Sequence, residues 1–335
     1  MKVVDFGRPG GPDLLQVKEA PTPTCGDYQI MIQVAAAGLN FYDTLDRQCF
    51  PCLYTPISDL GFECSGKVVA VGSLVIDFKV GDEVCAILQG GGGCAEFITV
   101  PPFHALRIPP RVTLAEAAAL PLASCLSFYS LSMLTNIAPG KTILIHGDAG
   151  GMDIIAIQYA KYALRCEVIA VAGMDEKLLL FESLGAKACI NYKKQDFCKC
   201  VMAETGERGV DFILDASGKA HFQKNLDCLA IGGSLVVLGY NSGSQVNIDL
   251  SVLMHKDINF IGGDLRYLFY AKVESIFSDA AAKIWPLIES GLIKPVIGKA
   301  FNFSEATEAY RALVTQDSRQ NIISFTMMQF DTVYQ

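Results

Sequence analysis

The segment from Thr142 to Lys161 constrains the fold of this chain more than any other. It reads TILIHGDAGGMDIIAIQYAK: a short apolar strand, a glycine turn and then an amphipathic helix. Glycines let the backbone bend tightly and come close to phosphate groups, and the positive end of the helix dipole attracts those groups. The segment therefore predicts a site for the diphosphate of a dinucleotide. The residues expected to contact it are Gly147, Gly150, Gly151 and Met152.

The same turn carries an acid where a third glycine is typical. The spacing Gly147-x-x-Gly150-x-x ends at Asp153, and Asp148 adds a second acid. At an effective dielectric near 20, like charges about 4 Å apart repel by about 4 kcal/mol, which corresponds to about a thousandfold in affinity. Asp153 could instead turn away and stabilise the helix N-terminus by less than about 1 kcal/mol. The sequence leaves both alternatives open.

The bulk properties are those of an enzyme of about two domains, because the chain has 335 residues, of which 51% are hydrophobic. No run approaches 18 consecutive apolar residues and the N-terminus has no signal-peptide core, so we expect no membrane span and a cytoplasmic location. A net charge of −8 argues against a nucleic-acid surface. Twelve cysteines without a secretory signal indicate reduced thiols. The pair Cys49-x-x-Cys52 is interpreted as loop thiols, with a redox pair or half a metal site as the alternative.

Hydrophobic periodicity divides the chain into three stretches and predicts an α/β fold. Residues 1 to about 115 alternate strand-like runs with glycine turns, which indicates a small, mostly antiparallel barrel. Near Thr113 the pattern changes to helix, and Glu116 completes a capping box. From Lys141 to about Gly262, six strands alternate with helices, which predicts a doubly wound parallel sheet.

The last stretch is expected to return to the first domain. It contains a helical pattern through Ser290, a strand at 294–297, a helix from Ser304 and the final strand NIISFTM. We therefore expect one domain from residues 1–118 and 266–335, and a dinucleotide-binding domain from residues 119–265. The crevice between the two is the expected active site.

Motifs along nearly the whole chain resemble the medium-chain dehydrogenases/reductases, and within them the zeta-crystallin-like NADPH quinone oxidoreductases. The matching segments include FGRPGGPDLLQVKE, GLNFYDTLDRQ, GFECSGKVVAVG, GGGCAEFITVP, SLGAKACINYKKQDF and VDFILDASG. This resemblance implies a GroES-like barrel domain joined to a Rossmann domain. It also implies a homodimer, in which the strand INFIGG pairs edge to edge.

Many members of that superfamily bind zinc, and the sequence predicts that this chain does not. The family's Gly-His-Glu motif reads Gly61-Phe62-Glu63 here, and phenylalanine cannot coordinate a metal. The four-cysteine structural lobe is also missing from the sequence. We assign Glu63 a structural role.

The segment after the second strand of the parallel sheet favours NADPH over NADH. An NAD enzyme places an acid there for the ribose hydroxyl, whereas this chain has Ala172-Gly173, with Lys177 one turn into the next helix. By resemblance, Gly173, Lys177 and Tyr192 surround the 2′-phosphate. Alternatively, Lys177 is a solvated helix residue and Tyr192 a strand-end aromatic residue.

The resemblance also assigns residues to the nicotinamide and the acceptor. Asn40 would lie beside the nicotinamide or the substrate carbonyl, unless it caps the following helix. The remaining residues assigned to catalysis are Asp43, Tyr54 and Ser127. The remaining residues assigned to the cofactor are Ser217, Leu238, Gly239, Tyr240, Arg266 and Asn321, with Ser127 again.

Two hypotheses about function follow. The first is an NADPH-dependent reductase that passes a hydride to a quinone or enone, with Tyr42, Phe50 and Tyr54 stacking on the flat acceptor. The second is a binding or structural protein that keeps this fold without catalysis. Asp153 motivates the second, together with Gln320-Asn321, which stands where the family has Gly-Lys.

Overall fold

The structure is a computed structural model. It describes residues 1–5, 11–40, 43, 60–135, 137–147, 150–263, 273–314 and 322–326. The chain divides into two compact units, Met1–Leu122 with Pro295–Gln335 and Ala123–Lys294. The sequence placed the second limit at residue 266. In the structure it falls later, because the helix Val273–Glu289 belongs to the second unit.

The first unit is built on a seven-stranded sheet, which confirms the mostly antiparallel first domain. The strands of this sheet are β3 (Ile30–Leu39), β4 (Glu63–Val71), β5 (Glu83–Ile87), β6 (Phe97–Val100), β7 (Ala105–Arg107), β14 (Ile297–Asn302) and β15 (Ile322–Thr326). Two further strands of this unit lie outside it, β1 (Lys2–Asp5) and β2 (Gln16–Glu19). The sheet order is β14-β15-β3-β4-β5-β7, with β6 also paired to β3, and only β14 and β15 run parallel. The short strands β1 and β2 form a separate antiparallel pair. Alternating apolar residues of β3 and β4 fill the core between these strands.

The end of the chain completes this first sheet. Strand β15 pairs with β3, so the tail contributes to the first unit. The strand expected at 294–297 begins at Ile297, and the helix expected from Ser304 is α9 (Ala306–Val314). Tyr310 on that helix is fully buried in the core of the first unit, where its aromatic ring fixes the helix against the sheet.

The second unit contains a six-stranded, wholly parallel sheet, as the alternation of strands and helices predicts. Its strands are β8 (Thr142–His146), β9 (Glu167–Ala172), β10 (Ala188–Asn191), β11 (Val210–Asp215), β12 (Leu229–Val237) and β13 (Asn259–Gly262). The order β10-β9-β8-β11-β12-β13 is that of a doubly wound dinucleotide-binding fold, with its switch point between β8 and β11. All six strands point the same way, so the loops after them gather at one edge.

Helices connect these strands. They are α3 (Gly151–Gln158), α4 (Asp175–Ser183), α5 (Phe197–Glu204), α6 (Phe222–Cys228) and α7 (Leu250–Lys256), followed by α8 (Val273–Glu289). Helix α3 continues into a π-helical turn, Tyr159–Ala163. The strands between them are almost continuously apolar because helices cover both faces of the sheet.

The segment from Leu114 to Met133 is a long, apolar helical stretch. It includes α1 (Leu114–Ala117) and α2 (Pro121–Phe128), and the expected capping box of Thr113 and Glu116 opens it. Its length and composition would allow it to cross a membrane, but 78% of its most apolar window is buried inside the protein. Core helices meet the same criteria.

Candidate functional site

The carboxylate of Asp153 lies on the glycine turn after β8. The amide N–H of Gly150 donates to Asp153 Oδ2 at 3.3 Å, and a Cβ placed on Gly147 would lie 2.8 Å from the same carboxyl group. Asp153 is 6% exposed. The side chain therefore folds back over the turn and occupies the N-terminus of α3, where the helix dipole favours a negative charge.

This position takes one backbone donor from the turn that the sequence predicts to bind a diphosphate. Gly150 precedes α3 in an extended conformation, and Gly151 and Met152 form the first turn of that helix. The four residues predicted to contact a diphosphate therefore lie at one helix N-terminus. The structure also brings an acid there, so the group that a diphosphate would have to displace is part of the protein.

At the ends of β9 and β10, the structure brings Gly173 and Tyr192 together. A Cβ on Gly173 would lie 2.8 Å from the Tyr192 hydroxyl and 3.0 Å from the Lys193 side chain. Lys193 is exposed and was not chosen from the sequence. The sequence could have indicated Lys193, because this residue follows the last residue of β10 by only two positions, on the same edge of the sheet.

Asp175, the first acid after Gly173 in the sequence, is bonded to residues on the neighbouring segment. Asp175 accepts a hydrogen bond from Asn191 Nδ2 at 2.7 Å and pairs with the Lys194 ammonium group. These two partners, Lys194 first, hold the pKa of Asp175 below its usual range. Asp175 thus belongs to the first turn of α4. Lys177 lies in the same helix with its side chain only 7% exposed.

A second turn at this edge follows β11 and is organised by Asp215. Its two carboxylate oxygens accept the backbone N–H groups of Ser217 at 2.8 Å and Gly218 at 3.2 Å. Burial raises the pKa of Asp215 to about 6, opposed by these two hydrogen bonds. Asp215 was not singled out from the sequence, although it ends the strand that precedes the predicted Ser217.

The loop after β12 locks onto that turn. Leu238 donates its N–H to the Asp215 carbonyl at 2.8 Å. Gly218 has a φ of +78°, and a Cβ there would lie 2.8 Å from the Tyr240 Cα. A Cβ on Gly239 would lie 3.0 Å from the Ala216 carbonyl oxygen. Close backbone approach therefore requires glycine at position 218 and favours it at position 239. It aligns the predicted residues Ser217, Leu238, Gly239 and Tyr240 along one edge.

An aromatic cluster lies behind this edge and was missed from the sequence, where the histidines look dispersed. His146 and His221 stack with ring centroids 5.1 Å apart, and Tyr192 meets His221 edge-on at 4.7 Å. Burial lowers the pKa of His146 to about 4, opposed by its hydrogen bond to Asn225. His146 is therefore neutral at physiological pH and packs as an apolar ring.

In the first unit, Asn40, Asp43 and Glu63 form one buried hydrogen-bond network. Asn40 Nδ2 donates to Glu63 Oε1 at 2.9 Å. Asp43 accepts the N–H groups of Asn40 at 2.8 Å and of Gly61 at 2.9 Å. Both carboxyl groups are at most 3% exposed. Asp43 therefore fixes the backbone that carries Asn40, whereas the Asn40 amide bonds to Glu63.

Glu63 is held from two sides. Its Oε2 accepts the Leu122 N–H at 2.8 Å. A Cβ on Gly38 would lie 2.4 Å from Glu63 Oε1 and 2.6 Å from the Ala118 carbonyl oxygen, so only glycine leaves room for the carboxylate. Burial raises the pKa of Glu63 to about 7, with the nearby Asp43 charge adding to the effect and the two hydrogen bonds opposing it.

Ser127 lies in the second unit, next to the diphosphate turn. Its hydroxyl donates to the Met152 carbonyl at 3.4 Å, and the residue is fully buried.

No group of three or more histidine, cysteine or acidic residues suited to a metal occurs within the described ranges. Several predicted residues lie outside those ranges: Tyr42, Cys49, Phe50, Cys52, Tyr54, Asp148, Arg266, Gln320 and Asn321.

Comparisons with known proteins agree with this architecture. Residues 26–110 match the alcohol dehydrogenase GroES-like domain, and residues 151–279 match the zinc-binding dehydrogenase domain. The quinone oxidoreductase of Pseudomonas aeruginosa is 31% identical over 94% of this chain and 96% of that protein. The 2-haloacrylate reductase of a Burkholderia species is 30% identical over 95% and 96%.

A solved structure gives the same result for the fold. The quinone oxidoreductase of Escherichia coli, crystallised in complex with NADPH, superposes with a TM-score of 0.87 at 28% identity, covering 98% of this chain and 100% of that one. Both matched domains, the relatives that span nearly the whole chain, and the strand order of the parallel sheet lead to one conclusion. The chain belongs to the quinone oxidoreductases of the medium-chain dehydrogenase/reductase family.

Proposed function

We propose that this protein is an NADPH-dependent reductase of quinones or enones. The observation that carries the proposal is the edge after β9, where Gly173 faces the Tyr192 hydroxyl and the Lys193 side chain. An NAD enzyme has an acid at the end of this strand that binds the ribose hydroxyls, and this chain has Ala172-Gly173 there. The carboxylate of Asp175, which follows, is instead bonded to Asn191 and Lys194. A hydroxyl and an ammonium group beside a glycine suit a 2′-phosphate.

The relatives support the same reaction. The names of two of them state reduction of quinones and of 2-haloacrylate, a conjugated acid, and the E. coli neighbour was crystallised with NADPH. When bound, NADPH would supply the hydride. Gly150, Gly151 and Met152 would hold its diphosphate, and Gly173, Lys177, Tyr192 and Lys193 its 2′-phosphate.

The residues of the first unit would orient the acceptor. Asn40, held by Glu63, would hydrogen-bond the acceptor carbonyl or the carboxamide of the cofactor. Ser127 would act as a second donor only after releasing its hydrogen bond to the Met152 carbonyl. Tyr54 is proposed to stack on the acceptor ring. We propose that no metal takes part, because Phe62 replaces the ligand histidine. The enolate or phenolate formed after hydride transfer collects its proton from water.

Purified protein tests this function directly. We expect NADPH fluorescence to be quenched on binding and NADPH to be oxidised with 9,10-phenanthrenequinone, whereas NADH binds more weakly because it lacks the 2′-phosphate. Calorimetric titration of both cofactors and an absorbance assay measure these effects. Protein that neither binds nor oxidises NADPH would exclude the reductase.

Lys193 is the second test of the cofactor site. Lys193→Ala is expected to weaken NADPH binding about tenfold or more, because a hydrogen bond to a charged group contributes about 1.5–3 kcal/mol. Affinity for NADH should stay the same. Lys187→Ala is the matched control, since Lys187 pairs with Glu167 at the opposite end of β9. An equal loss for both cofactors would place Lys193 outside the 2′-phosphate site.

One observation favours a second function, a binding or structural protein without catalysis. The Asp153 carboxylate already accepts the Gly150 N–H that a diphosphate would use. In this alternative, the native chain does not bind NADPH, and binding appears only when the acid is removed. The Asp153 variants described in the Discussion distinguish the two functions.

The remaining properties are proposed from the family. Strand β13 lies at the free edge of the parallel sheet and carries the half-exposed Phe260, which suits edge-to-edge pairing in a homodimer. A sedimentation mass equal to the single-chain 36.2 kDa would exclude the dimer. The ten cysteines of the described residues are free thiols, which suits the cytoplasm. The proposed partners are small molecules, with neither a membrane nor a nucleic acid among them.

A further inference from the structure

We propose that Glu63 is a positioning residue whose protonation state determines whether the Asn40 side chain presents its Nδ2 or its Oδ1 atom to Glu63. Glu63 lies 23 residues from Asn40 and 59 from Leu122 in the chain, and it hydrogen-bonds to both. The inference rests on the proposed function only for its effect on activity. The amide orientation itself is a property of the protein without cofactor.

The Leu122 N–H fixes one half of the Glu63 carboxyl group. A backbone N–H can only donate, and it cannot rotate without moving the chain. Leu122 opens a buried stretch of α2 and donates to Glu63 Oε2 at 2.8 Å. The oxygen that faces Leu122 must therefore remain an acceptor in every protonation state of Glu63.

The other half of the carboxyl group faces Asn40, and there the partner can adapt. An ionised carboxylate only accepts, so Asn40 must point its Nδ2 group towards Glu63, as the 2.9 Å distance shows. When Glu63 takes up a proton, the proton must go to Oε1, because Oε2 faces a donor. An O–H group at Oε1 donates, so the Asn40 amide turns over and presents Oδ1 to Glu63.

The turned amide exposes different atoms on its outer side. With ionised Glu63, one Nδ2 hydrogen is donated to Glu63, and Oδ1 is on the side of the amide that faces away from Glu63. With protonated Glu63, both Nδ2 hydrogens are on the outer side. The second state is the better donor to a carbonyl oxygen of an acceptor. The variant Glu63→Gln imitates the protonated state. Its single side-chain oxygen must accept the Leu122 N–H, so its NH2 group faces Asn40. The Asn40 amide therefore stays turned over at all pH values in this variant.

Burial places this change in the physiological range, since it raises the pKa of Glu63 to about 7. Among the described residues, the titratable groups around Glu63 are Asp43, whose charge raises that pKa, and the thiols of Cys64, Cys85 and Cys94. Burial raises the pKa of Cys64 to about 12 and that of Cys85 still further. Burial also raises the pKa of Cys94 well above its usual value. None of the three thiols therefore ionises between pH 5 and 9.

Nuclear magnetic resonance of the cofactor-free protein tests the inference. The side-chain amide of Asn40 is observed in protein labelled with nitrogen-15 asparagine, and its signal is assigned by its loss in Asn40→Ala. We expect the signal to shift with pH, with a midpoint near 7, in the native protein and to stay constant in Glu63→Gln. Glu96→Gln is the matched control, because Glu96 in the same unit accepts the Lys2 N–H and should leave the midpoint unchanged. A signal in the native protein that does not change between pH 5.5 and 8.5, or a midpoint that persists in Glu63→Gln, overturns the proposal.

Activity gives the second measurement. We expect the rate of quinone reduction to fall about tenfold as pH rises through 7, the value of one hydrogen bond, and Glu63→Gln to keep the low-pH rate above pH 8. In the Asn40→Ala background, Glu63→Gln should change nothing. A merely structural Glu63 would instead lower the rate in both backgrounds. Should the protein bind no NADPH while the amide titrates, the proposed function fails and this inference stands.

Discussion

Replacing Asp153 by glycine is expected to raise the affinity for NADPH by up to about a thousandfold. Two like charges about 4 Å apart repel by about 4 kcal/mol at an effective dielectric near 20, and the Asp153 carboxylate already bonds to the Gly150 N–H. Its removal frees that donor and removes the repulsion together. Isothermal titration calorimetry with NADPH measures the gain.

Asparagine at the same position separates charge from volume. Asp153→Asn keeps an oxygen able to accept the Gly150 N–H but carries no charge. If charge dominates, Asp153→Asn gains most of the affinity; if volume dominates, only Asp153→Gly does. Both variants should lower the unfolding free energy, and glycine by about 1 kcal/mol more, because it also loses the hydrogen bond to the Gly150 N–H and is a poorer helix former. Asp249→Asn is the control, since the Asp249 carboxylate also accepts a backbone N–H, that of Ser251, at the N-terminus of another helix, α7.

The outcome decides between the two proposed functions. A native protein that does not bind NADPH, next to an Asp153→Gly variant that does, establishes the binding protein without catalysis. A native protein that binds NADPH, with affinity that rises further in the variant, establishes a reductase weakened by its own acid. Unchanged affinity in both variants would mean that the carboxylate moves away at no cost, and the repulsion argument would be wrong.

The second large effect is expected at Asp215. Asp215→Ala should lower the free energy of unfolding by about 2–4 kcal/mol, because the buried Gly218 N–H and the partly buried Ser217 N–H lose their acceptors. An unsatisfied buried donor costs about 1–3 kcal/mol, and a partly buried one costs less because water can reach it. NADPH affinity should fall as well, since this turn fixes Leu238, Gly239 and Tyr240. Urea unfolding and cofactor titration measure the two effects.

The stability contributed by Asp215 depends on pH in a defined direction. Burial raises its pKa from 3.8 to about 6, so the folded protein holds the proton more tightly than the unfolded chain does. This contribution is complete below about pH 4 and is lost as pH rises through about 6. At 1.36 kcal/mol per pKa unit, the loss is about 3 kcal/mol.

Asp215→Asn isolates this pH dependence. Relative to the native protein, its unfolding free energy should rise by about 3 kcal/mol between pH 4 and 7, because asparagine has no proton to lose. Asp249→Asn should not show this rise, since hydrogen bonds to Ser251 lower the pKa of Asp249 instead. A native protein and an Asp215→Asn variant with parallel pH profiles would contradict the expected titration.

Local patterns determined much of the fold. The alternation of apolar runs with amphipathic segments from Lys141 to Gly262 predicted six parallel strands, and the sheet contains those six. The glycine spacing placed Gly147 and Gly150 at the start of α3, and the capping box at Thr113 was confirmed. These features follow from residues close in sequence, because strand period, turn chemistry and helix capping are decided within a few residues.

The tertiary structure decided the contacts between residues distant in sequence. Glu63 meets Asn40 because β3 and β4 pair with Gly38 opposite Glu63, and strand register sets which side chains share a face. Lys193 reaches Gly173, and His146 stacks on His221, for the same reason: parallel strands end at one edge whatever their separation in the chain. The roles of Tyr54, Arg266 and Asn321 remain predictions.

The sequence by itself determined the family, the two kinds of sheet and the presence of an acid in the diphosphate turn. Only the tertiary structure decided where that acid points and what holds Asn40. The physical reason is that a residue type fixes charge and size, whereas the direction of a side chain depends on the donors that the folded backbone places around it.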